Sequence, residues 1–316
     1  MVDVLLAVYN GEKYLEEQLS SIENQTYKNW RLIIRDDCSK DKSMLIAEKF
    51  SRKFKKGKVI IYKNDKPSGS AKNNFLRLLK DSDAEYVMFS DQDDVWLDNK
   101  ISLTLKAMKK SEKEAGKSCP VLVHSDLLVT DEKLNVISGS FFKYQKIPKK
   151  MDIKRLMLQN SVTGCTVMIN KRLKEYLEKA DCPEKIVMHD YFAALIAGVF
   201  GKIVFINRPL IKYRQHGDNS VGAADASSFS YLKTRFIAGK EQFRQRMEAT
   251  MIQAGYFAEL YKQQCRDNPC NKTLIKLLIN YNHLLKVDKK TKVKFYIENN
   301  VFKYGIIRKI MQLVWS

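Results

Sequence analysis

The 316-residue chain is short of the residues that mark alternatives to an ordinary globular protein. It holds only 6 prolines and 13 glycines, too few for a collagen-like or linker-like polymer, and no repeat or low-complexity tract runs through it. Its cysteines, Cys38, Cys119, Cys165, Cys182, Cys265 and Cys270, form no C-x-x-C pair. Cys265 and Cys270, the two nearest each other, have no histidine beside them, which argues against a zinc site. No stretch approaches the roughly 18 apolar residues that span a bilayer. The opening MVDVLLAVYNGEKYLEEQL has a short apolar run with no basic flank and turns at once amphipathic, so it reads as a first strand and not a signal peptide. These absences lead to the expectation of a cytoplasmic protein with reduced thiols. Negative charge is scarce too: 36 acidic residues stand against 56 basic ones, a net charge of +20. That suits an anionic partner such as nucleic acid, a phosphorylated small molecule or an acidic membrane surface, although part of it is simply a solvated surface.

What is present is an alternation of strand and helix signals. Val2–Val8 is an apolar run suited to a buried parallel strand. Asn10 is placed to cap a helix whose Leu15, Leu19 and Ile22 share a face. Strands at Trp30–Ile34, Val59–Tyr62, Tyr86–Phe89 and Val121–Val123 alternate with helices at Ser43–Phe54, at Ser70–Leu79 and around Ile101, Leu105 and Met108. Further on, Val162–Ile169 reads as a strand interrupted by Gly164, Asp190–Ala197 as a helix, and Lys202–Ile206 with Leu210–Tyr213 as a strand pair joined at Arg208-Pro209. The rhythm predicts a mostly parallel α/β sheet, on which ligands sit beyond the carboxyl ends of the strands. Polar clusters fall at those ends: Tyr9-Asn10-Gly11, Asp36-Asp37-Cys38-Ser39 and Asp91-Gln92-Asp93-Asp94.

The last of these is the strongest signal. Three carboxylates in four positions after an apolar strand repel one another and are costly unless a cation sits among them. A hard divalent ion takes one or two carboxylates and completes its shell with substrate phosphates and water. A solvated acidic turn is the alternative, against which stand the strand-end position and the adjacent Trp96. Asp37 can accept from a base or ribose, unless Ser39 or Asp41 merely caps the next helix. Asp190, beside His189 at a helix start, is either a general base or a plain N-cap. In Tyr213-Arg214-Gln215-His216-Gly217-Asp218-Asn219, Arg214 can meet phosphate and His216 can ligate a metal, or the histidine is simply a satisfied one. Lys66–Asn74 is a loop opening a helix, which either presents N–H groups to an anion or is ordinary turn chemistry. Lys72 and Asn74 are its candidate donor contacts.

In the order VYNGEKYLEEQLSSIENQTY, IIRDDCSKDKS, GSAKNNF, FSDQDDVW, TGCTVMIN, HDYF and YRQHGDN, the chain resembles the family-2 inverting glycosyltransferases of the GT-A fold. It is most similar to the bacterial branch described as rhamnosyltransferases. The resemblance covers roughly residues 2–222. It implies a Rossmann-like, mostly parallel sheet with flanking helices and transfer of a sugar from a nucleotide-diphosphate sugar to a hydroxyl of a glycan or polyprenyl-linked acceptor in cell-surface polysaccharide synthesis. By resemblance the donor is dTDP-rhamnose, with a UDP-hexose or UDP-N-acetylhexosamine as alternatives, and the cofactor is Mg2+ or Mn2+. It further implies that Ala7, Val8, Tyr9, Asn10, Asp37, Gln92 and Asp94 contact the donor. Asp93 and His216 hold the metal, and Asp91 contacts the ribose or a metal-bound water. Gly164 and Cys165, on a strand bordering the acceptor pocket, together with Trp96 and His189, meet the acceptor. Asp190 is the base. Cys38 stands where the family has glycine, which puts the backbone of that turn in question.

From Asp225 onward 17 Lys and Arg stand against 7 Asp and Glu. A boundary is placed near Gly222–Ser228, giving a catalytic domain of residues 1–222 and a basic helical extension of residues 223–316. The last helix, Phe302 to Trp315, interleaves apolar and basic residues as membrane-surface helices do, and would carry the protein to the inner face of the plasma membrane. Packing on the catalytic domain, or oligomer formation, explains the same pattern. Two rival classes predict different signals. A nucleotidyltransferase opens with a Gly-rich basic loop after its first strand, which VYNGEKYLEEQ lacks. A nucleic-acid binder needs basic strand ends, and these are acidic, so no nucleic-acid partner is expected.

Overall fold

In the computed structural model, residues 1–150, 152–217, 239–264 and 269–316 are described, the backbone alone for 269–271. In β1 (Val2–Val8) alternate side chains enter opposite cores, Val4, Leu6 and Val8 on one face and Leu5 on the other. This is the signature of a sheet covered on both sides. The described strands continue as β2 (Trp30–Asp36), β3 (Val59–Lys63), β4 (Tyr86–Ser90), β5 (Val95–Trp96), β6 (Val121–Thr130), β7 (Val136–Ser138), β8 (Met168–Asn170) and β9 (Lys202–Arg214). They form one sheet in the order β3-β2-β1-β4-β8-β6-β9-β5, with β7 on β6. The ladders β3-β2-β1-β4 and β6-β9 are parallel; β8 runs antiparallel between β4 and β6, and β5 antiparallel to β9. This is the curled, mostly parallel sheet expected of a GT-A fold.

Helices α1 (Leu15–Glu23), α2 (Ser43–Ser51) and α4 (Lys100–Ala115) cover one face. On the other lie α3 (Ala71–Lys80), α7 (Lys171–Leu177) and α8 (His189–Phe200), while α5 (Phe141–Tyr144) and α6 (Ile153–Leu156) are short. Ser70 caps α3 by accepting from the Asn73 N–H at 3.2 Å, a contact that fixes where the preceding loop ends.

Three local expectations are corrected. Asn10 does not cap α1, whose first turn follows Tyr14; it takes a left-handed φ of 47° and accepts from the Lys40 N–H. The 162–169 stretch is not a strand: Gly164–Thr166 is a single 3-10 turn, and only Met168–Asn170 pairs. Lys202–Tyr213 is not a hairpin but lies within one strand, β9. It runs beside β6 with irregularities around Asp126, the position opposite Pro209. Proline has no N–H to give a ladder and is tolerated at such a bulge. The expected boundary at Gly222–Ser228, and Asp218 and Asn219, lie outside the described residues.

Four helices follow: α9 (Gly239–Leu260), α10 (Pro269–His283), α11 (Lys289–Glu298) and α12 (Ile306–Trp315). They share the core of the sheet's second face. Phe257 lies against Phe192 of α8 with ring centres 5.7 Å apart, and Tyr261 donates to the Tyr176 carbonyl at 2.7 Å. The exception is α12, where Ile306 is 79% and Ile310 54% exposed, with Ile307 and Val314 similarly open. No helix among the described residues is long and apolar enough to cross a membrane. Because Phe257 is fully buried at the junction, Phe257→Ala is expected to cost about 3–5 kcal/mol. It should do so in a single urea transition seen alike by circular dichroism and tryptophan fluorescence; two separated transitions would show the C-terminal helices to be an independent unit.

Candidate active site

The carboxyl ends of β1, β2 and β4 meet at the mouth of one cavity of about 1380 Å3, as the sheet topology requires. The β1 end is locked to the acidic loop after β4 by a reciprocal pair. The Tyr9 N–H donates to Gln92 Oε1 at 2.8 Å, and Gln92 Nε2 donates to the Tyr9 carbonyl at 2.9 Å. Gly11 permits this contact, because a Cβ there would lie 2.5 Å from Gln92 Oε1. Asp37 follows β2, and its carboxylate accepts from Asn64 Nδ2 (2.7 Å), the Ser68 N–H (2.6 Å) and Ser68 Oγ (2.7 Å). It thereby pins the 64–70 loop over that side of the cavity. Cys38 keeps the turn a glycine would make: its φ is 65°, and its thiol donates to the Asn64 carbonyl at 3.0 Å.

Ala7, Val8, Tyr9, Asn10, Asp37, Asn74, Asp91, Gln92, Asp93, Gly164, His189, Asp190 and His216 all line this cavity. Asp93 Oδ2 lies 2.9 Å from His216 Nε2, whose ring rests on Tyr14 with centres 4.8 Å apart. Burial, and then the charges of Asp93 and Asp190, push the Asp91 carboxyl up to about 7. Burial raises Asp190 to about 7 as well. His189 is buried, stacked on Phe75 at 4.3 Å, with neither ring nitrogen hydrogen-bonded among the described residues; burial pushes it down to about 3, so it is neutral. Gly164 keeps the space beside this pair open, since a Cβ there would come 3.2 Å from His189 Nε2 and 3.5 Å from Asp190 Oδ2.

Five expected contacts lie elsewhere. The Lys72 ammonium donates to the carbonyls of Pro183 and Ile186, both at 2.6 Å, and does not reach the cavity. Arg214 is a buried clamp and not an open phosphate ligand. Its Nε donates to the Asp93 carbonyl at 2.8 Å, its terminal nitrogens meet the Glu132 carbonyl and the Glu17 carboxylate, and its guanidinium lies 4.6 Å from the Tyr14 ring centre. Asp94 and Cys165 sit beneath the floor, with ligand atoms that lie with those of Asp91 within 4.8 Å of one another. Burial drives the Asp94 carboxyl and the Cys165 thiol well upward, so Cys165 remains a thiol and not a metal-ligating thiolate. Trp96 is core, and Lys100 Nζ stands 3.2 Å from its ring centre.

Lys100 escaped the sequence reading. It is fully buried at the start of α4, and burial lowers its ammonium to about 7, opposed by the nearby carboxyls of Asp94 and Asp91. Its signal was a lysine abutting the apolar stripe Ile101, Leu105, Met108. Also unforeseen are cavity residues from the C-terminal helices, including Phe243, Arg246, Lys303, Arg308 and Met311, which long-range packing alone brings in.

The donor set fits a hard divalent ion. Asp93 and His216, 2.9 Å apart, offer an oxygen and a nitrogen at the cavity, while the Asp91 carboxylate lines the same cavity and groups with Asp94 and Cys165; the repulsion that adds to burial in raising Asp91 is what a cation relieves. The same group sets a pH response. A carboxyl raised from 3.8 to about 7 on folding adds stability below its unfolded value and loses it as pH rises through the folded one. In EDTA the Tm of the wild type should therefore fall, relative to Asp91→Asn, between about pH 4 and pH 7 and level off above. Added Mn2+ should restore the wild type alone. Parallel curves for the two proteins in both conditions would dismiss the repulsion.

The profile of Glycosyl transferase family 2 matches residues 3–177. Among curated relatives, a dTDP-rhamnosyl transferase of Shigella flexneri is 29% identical over 252 residues, covering 74% of this chain and 80% of that one. A UDP-Glc:alpha-D-GlcNAc-diphosphoundecaprenol beta-1,3-glucosyltransferase of Escherichia coli is 27% identical over 174 residues, 55% of this chain and 61% of that one. Among solved structures, S. aureus TarS 1-349 in complex with UDP superposes with a TM-score of 0.57 at 15% identity, covering 93% of this chain and 77% of that one. A mannosyltransferase from Pyrobaculum calidifontis in complex with GDP-Man and Mn2+ superposes with a TM-score of 0.53 at 13% identity, covering 99% and 85%. At those identities the two superpositions speak to the fold.

Proposed function

The chain belongs to glycosyl transferase family 2, and from that premise we propose that it is an inverting, metal-dependent glycosyltransferase of cell-surface polysaccharide synthesis, with the cavity as its active site. The observation that carries the reading is the convergence of Asp91, Asp93, His216 and Asp190 on one cavity, at the carboxyl edge of the sheet.

In this reading Ala7–Asn10, Asp37 and Asn74 border the nucleotide, and Asp91, Asp93 and His216 hold Mg2+ or Mn2+ against its diphosphate. The ion would supply positive charge where the leaving oxygen becomes negative. The acceptor hydroxyl, a poor nucleophile at neutral pH, lies beside Asp190. That carboxylate takes the proton as the hydroxyl oxygen bonds to the anomeric carbon and the bond to the diphosphate breaks on the opposite side. Attack and departure on opposite faces invert the centre, and no second carboxylate need act as nucleophile. The neutral imidazole of His189, with both nitrogens open, can hydrogen-bond a sugar hydroxyl beside the base. The Shigella relative's name supports dTDP-rhamnose as donor; the Escherichia relative's name supports a UDP-hexose, and a UDP-N-acetylhexosamine is the third alternative. Residues 1–222 would form the catalytic domain, and residues 223–316 the acceptor side. The exposed isoleucines of α12 beside Arg308 and Lys309 support contact with an anionic membrane carrying a polyprenyl-linked acceptor.

Thermal stabilisation by nucleoside diphosphates tests the donor end. A nucleotide at 100 times its Kd should add about 2.7 kcal/mol, with deoxythymidine or uridine diphosphate giving the largest shift. EDTA and Asp93→Ala should each abolish it; a shift untouched by either would remove the metal site. Asp190→Asn should keep the shift and lose about 10²–10⁴-fold in turnover. For the wild type, kcat/KM should fall as pH drops below about 7, because the base must be ionised in the free enzyme. A flat profile down to about pH 5 would place the base elsewhere.

A further inference from the structure

His216 lies two residues past Arg214, the last residue that β9 pairs with β6. Its imidazole nonetheless stands 2.9 Å from Asp93 Oδ2. Among the rings around the site, the one it rests on is Tyr14, with centres 4.8 Å apart and planes inclined at 37°. Tyr14 lines the cavity and is itself held from three directions. Its N–H donates to the Gly11 carbonyl at 3.1 Å, which ties it to the turn that closes β1. Its hydroxyl donates to Glu132 Oε1 at 2.9 Å, on the turn after β6, and the Lys13 ammonium pairs with the same carboxylate. The Arg214 guanidinium lies 4.6 Å from its ring centre while Arg214 Nε donates to the Asp93 carbonyl. Segments that follow β1 and β6 and the end of β9 thus meet at one aromatic ring, and Arg214 and His216 join that ring to Asp93 after β4. The hydroxyl is engaged by Glu132, so what Tyr14 offers His216 is the face of its ring.

A ligating imidazole binds an ion tightly when its orientation is set beforehand, because a free side chain must give up rotamer freedom on binding. Rings whose centres lie 4.5–7 Å apart attract beyond the area they bury, so a buried ring clamped on several sides is a suitable template. We propose that Tyr14 is a positioning residue of the metal site, its ring setting the His216 imidazole so that Nε2 faces the ion position beside Asp93. The role rests on the reading that His216 takes the ion. It extends ion binding to a side chain that makes no contact with the ion and that the sequence places at the start of α1. Because Tyr14 hangs from Gly11, the end of β1 that borders the nucleotide and the imidazole that meets the ion are held by one residue.

The test is the Mn2+ concentration that half-completes the Tm shift given by deoxythymidine or uridine diphosphate, whichever shifts the wild type further. The Tm of each variant in EDTA reports folding separately. Tyr14→Leu, apolar and bulky but without a ring, should raise the Mn2+ midpoint by about 10-fold, and Tyr14→Met serves the same purpose if the leucine variant does not fold. Tyr14→Phe, which keeps the ring, should stay within about 3-fold of the wild type. His216→Ala should raise the midpoint by about 10-fold or more. Adding Tyr14→Leu to His216→Ala should raise it no further, because the ring acts only through the imidazole. A wild-type midpoint in Tyr14→Leu overturns the role. So do effects that multiply in the double variant, which would make Tyr14 a general support of the fold, and a Tyr14→Phe midpoint equal to that of Tyr14→Leu, which would assign the effect to the hydroxyl. A His216→Ala midpoint equal to the wild type's removes the histidine from the ion and defeats the reading beneath, whatever Tyr14 does.

Discussion

Everything at the sheet edge answers to one constraint, the concentration of carboxylates where β4 ends. Two unit charges 4 Å apart at an effective dielectric of about 20 repel by about 4 kcal/mol, a large part of the 5–15 kcal/mol that holds a domain together. The chain meets this load in three ways. Burial, and then the charges of Asp93 and Asp91, raise the Asp94 carboxyl well above the ordinary carboxylate range. Lys100, sealed under the loop against Trp96, sets one positive charge close to Asp91 and Asp94. Arg214 binds the backbone of Asp93 together with Glu17 of α1 and the backbone of Glu132 after β6, so the loop cannot relax outward to separate its charges. What remains unrelieved is concentrated in Asp91, whose carboxyl burial and the charges of Asp93 and Asp190 push up to about 7.

The scaffold and the acidic motifs were legible in the sequence because both are written in local pattern. The runs at Val2–Val8 and Tyr86–Phe89 announce buried strands, and polar residues directly after them can only sit at the sheet's edge. Other features were not legible, since they depend on residues far apart. Nothing near Arg214 tells that its partners are Glu17 and residue 132, and a lone arginine in a polar motif reads as a phosphate ligand. Lys72 was misread for the same reason, as the carbonyls of Pro183 and Ile186 that hold it are more than a hundred residues away. Cys165 and Trp96 lie near cavity residues in sequence, but the 3-10 turn at Gly164–Thr166 and the short strand β5 bury them in the core.

The path of β9 shows how such a distant residue is aimed. Its 13 residues run beside the 10 of β6, so three extra residues are absorbed at the irregularities around Asp126. Side chains alternate with a period of two, hence an odd number of extra residues exchanges the faces of everything downstream. A ladder without those bulges would turn Tyr213 and Arg214 to the opposite sides. The present path instead sets Arg214 behind the acidic loop and carries His216 to 2.9 Å from Asp93. The Arg208-Pro209 dipeptide, which reads as a hairpin turn, is part of the device that aligns the site.

The charged residues that line the cavity divide as the chain does. The charged side chains that the sheet edge brings to the cavity are carboxylates, held in place by pairs such as Tyr9 with Gln92. Acidic residues thin out in the helices after residue 239 while basic ones keep the density they have elsewhere, and these helices pack through Phe257 and Tyr261 onto α8, the helix that begins with His189 and Asp190. That packing ties α9 to Asp190, since one helix carries that carboxylate at its start and the anchor for α9 along its length. A change in how α9 lies on α8 would therefore alter the span between Asp190 and Arg246.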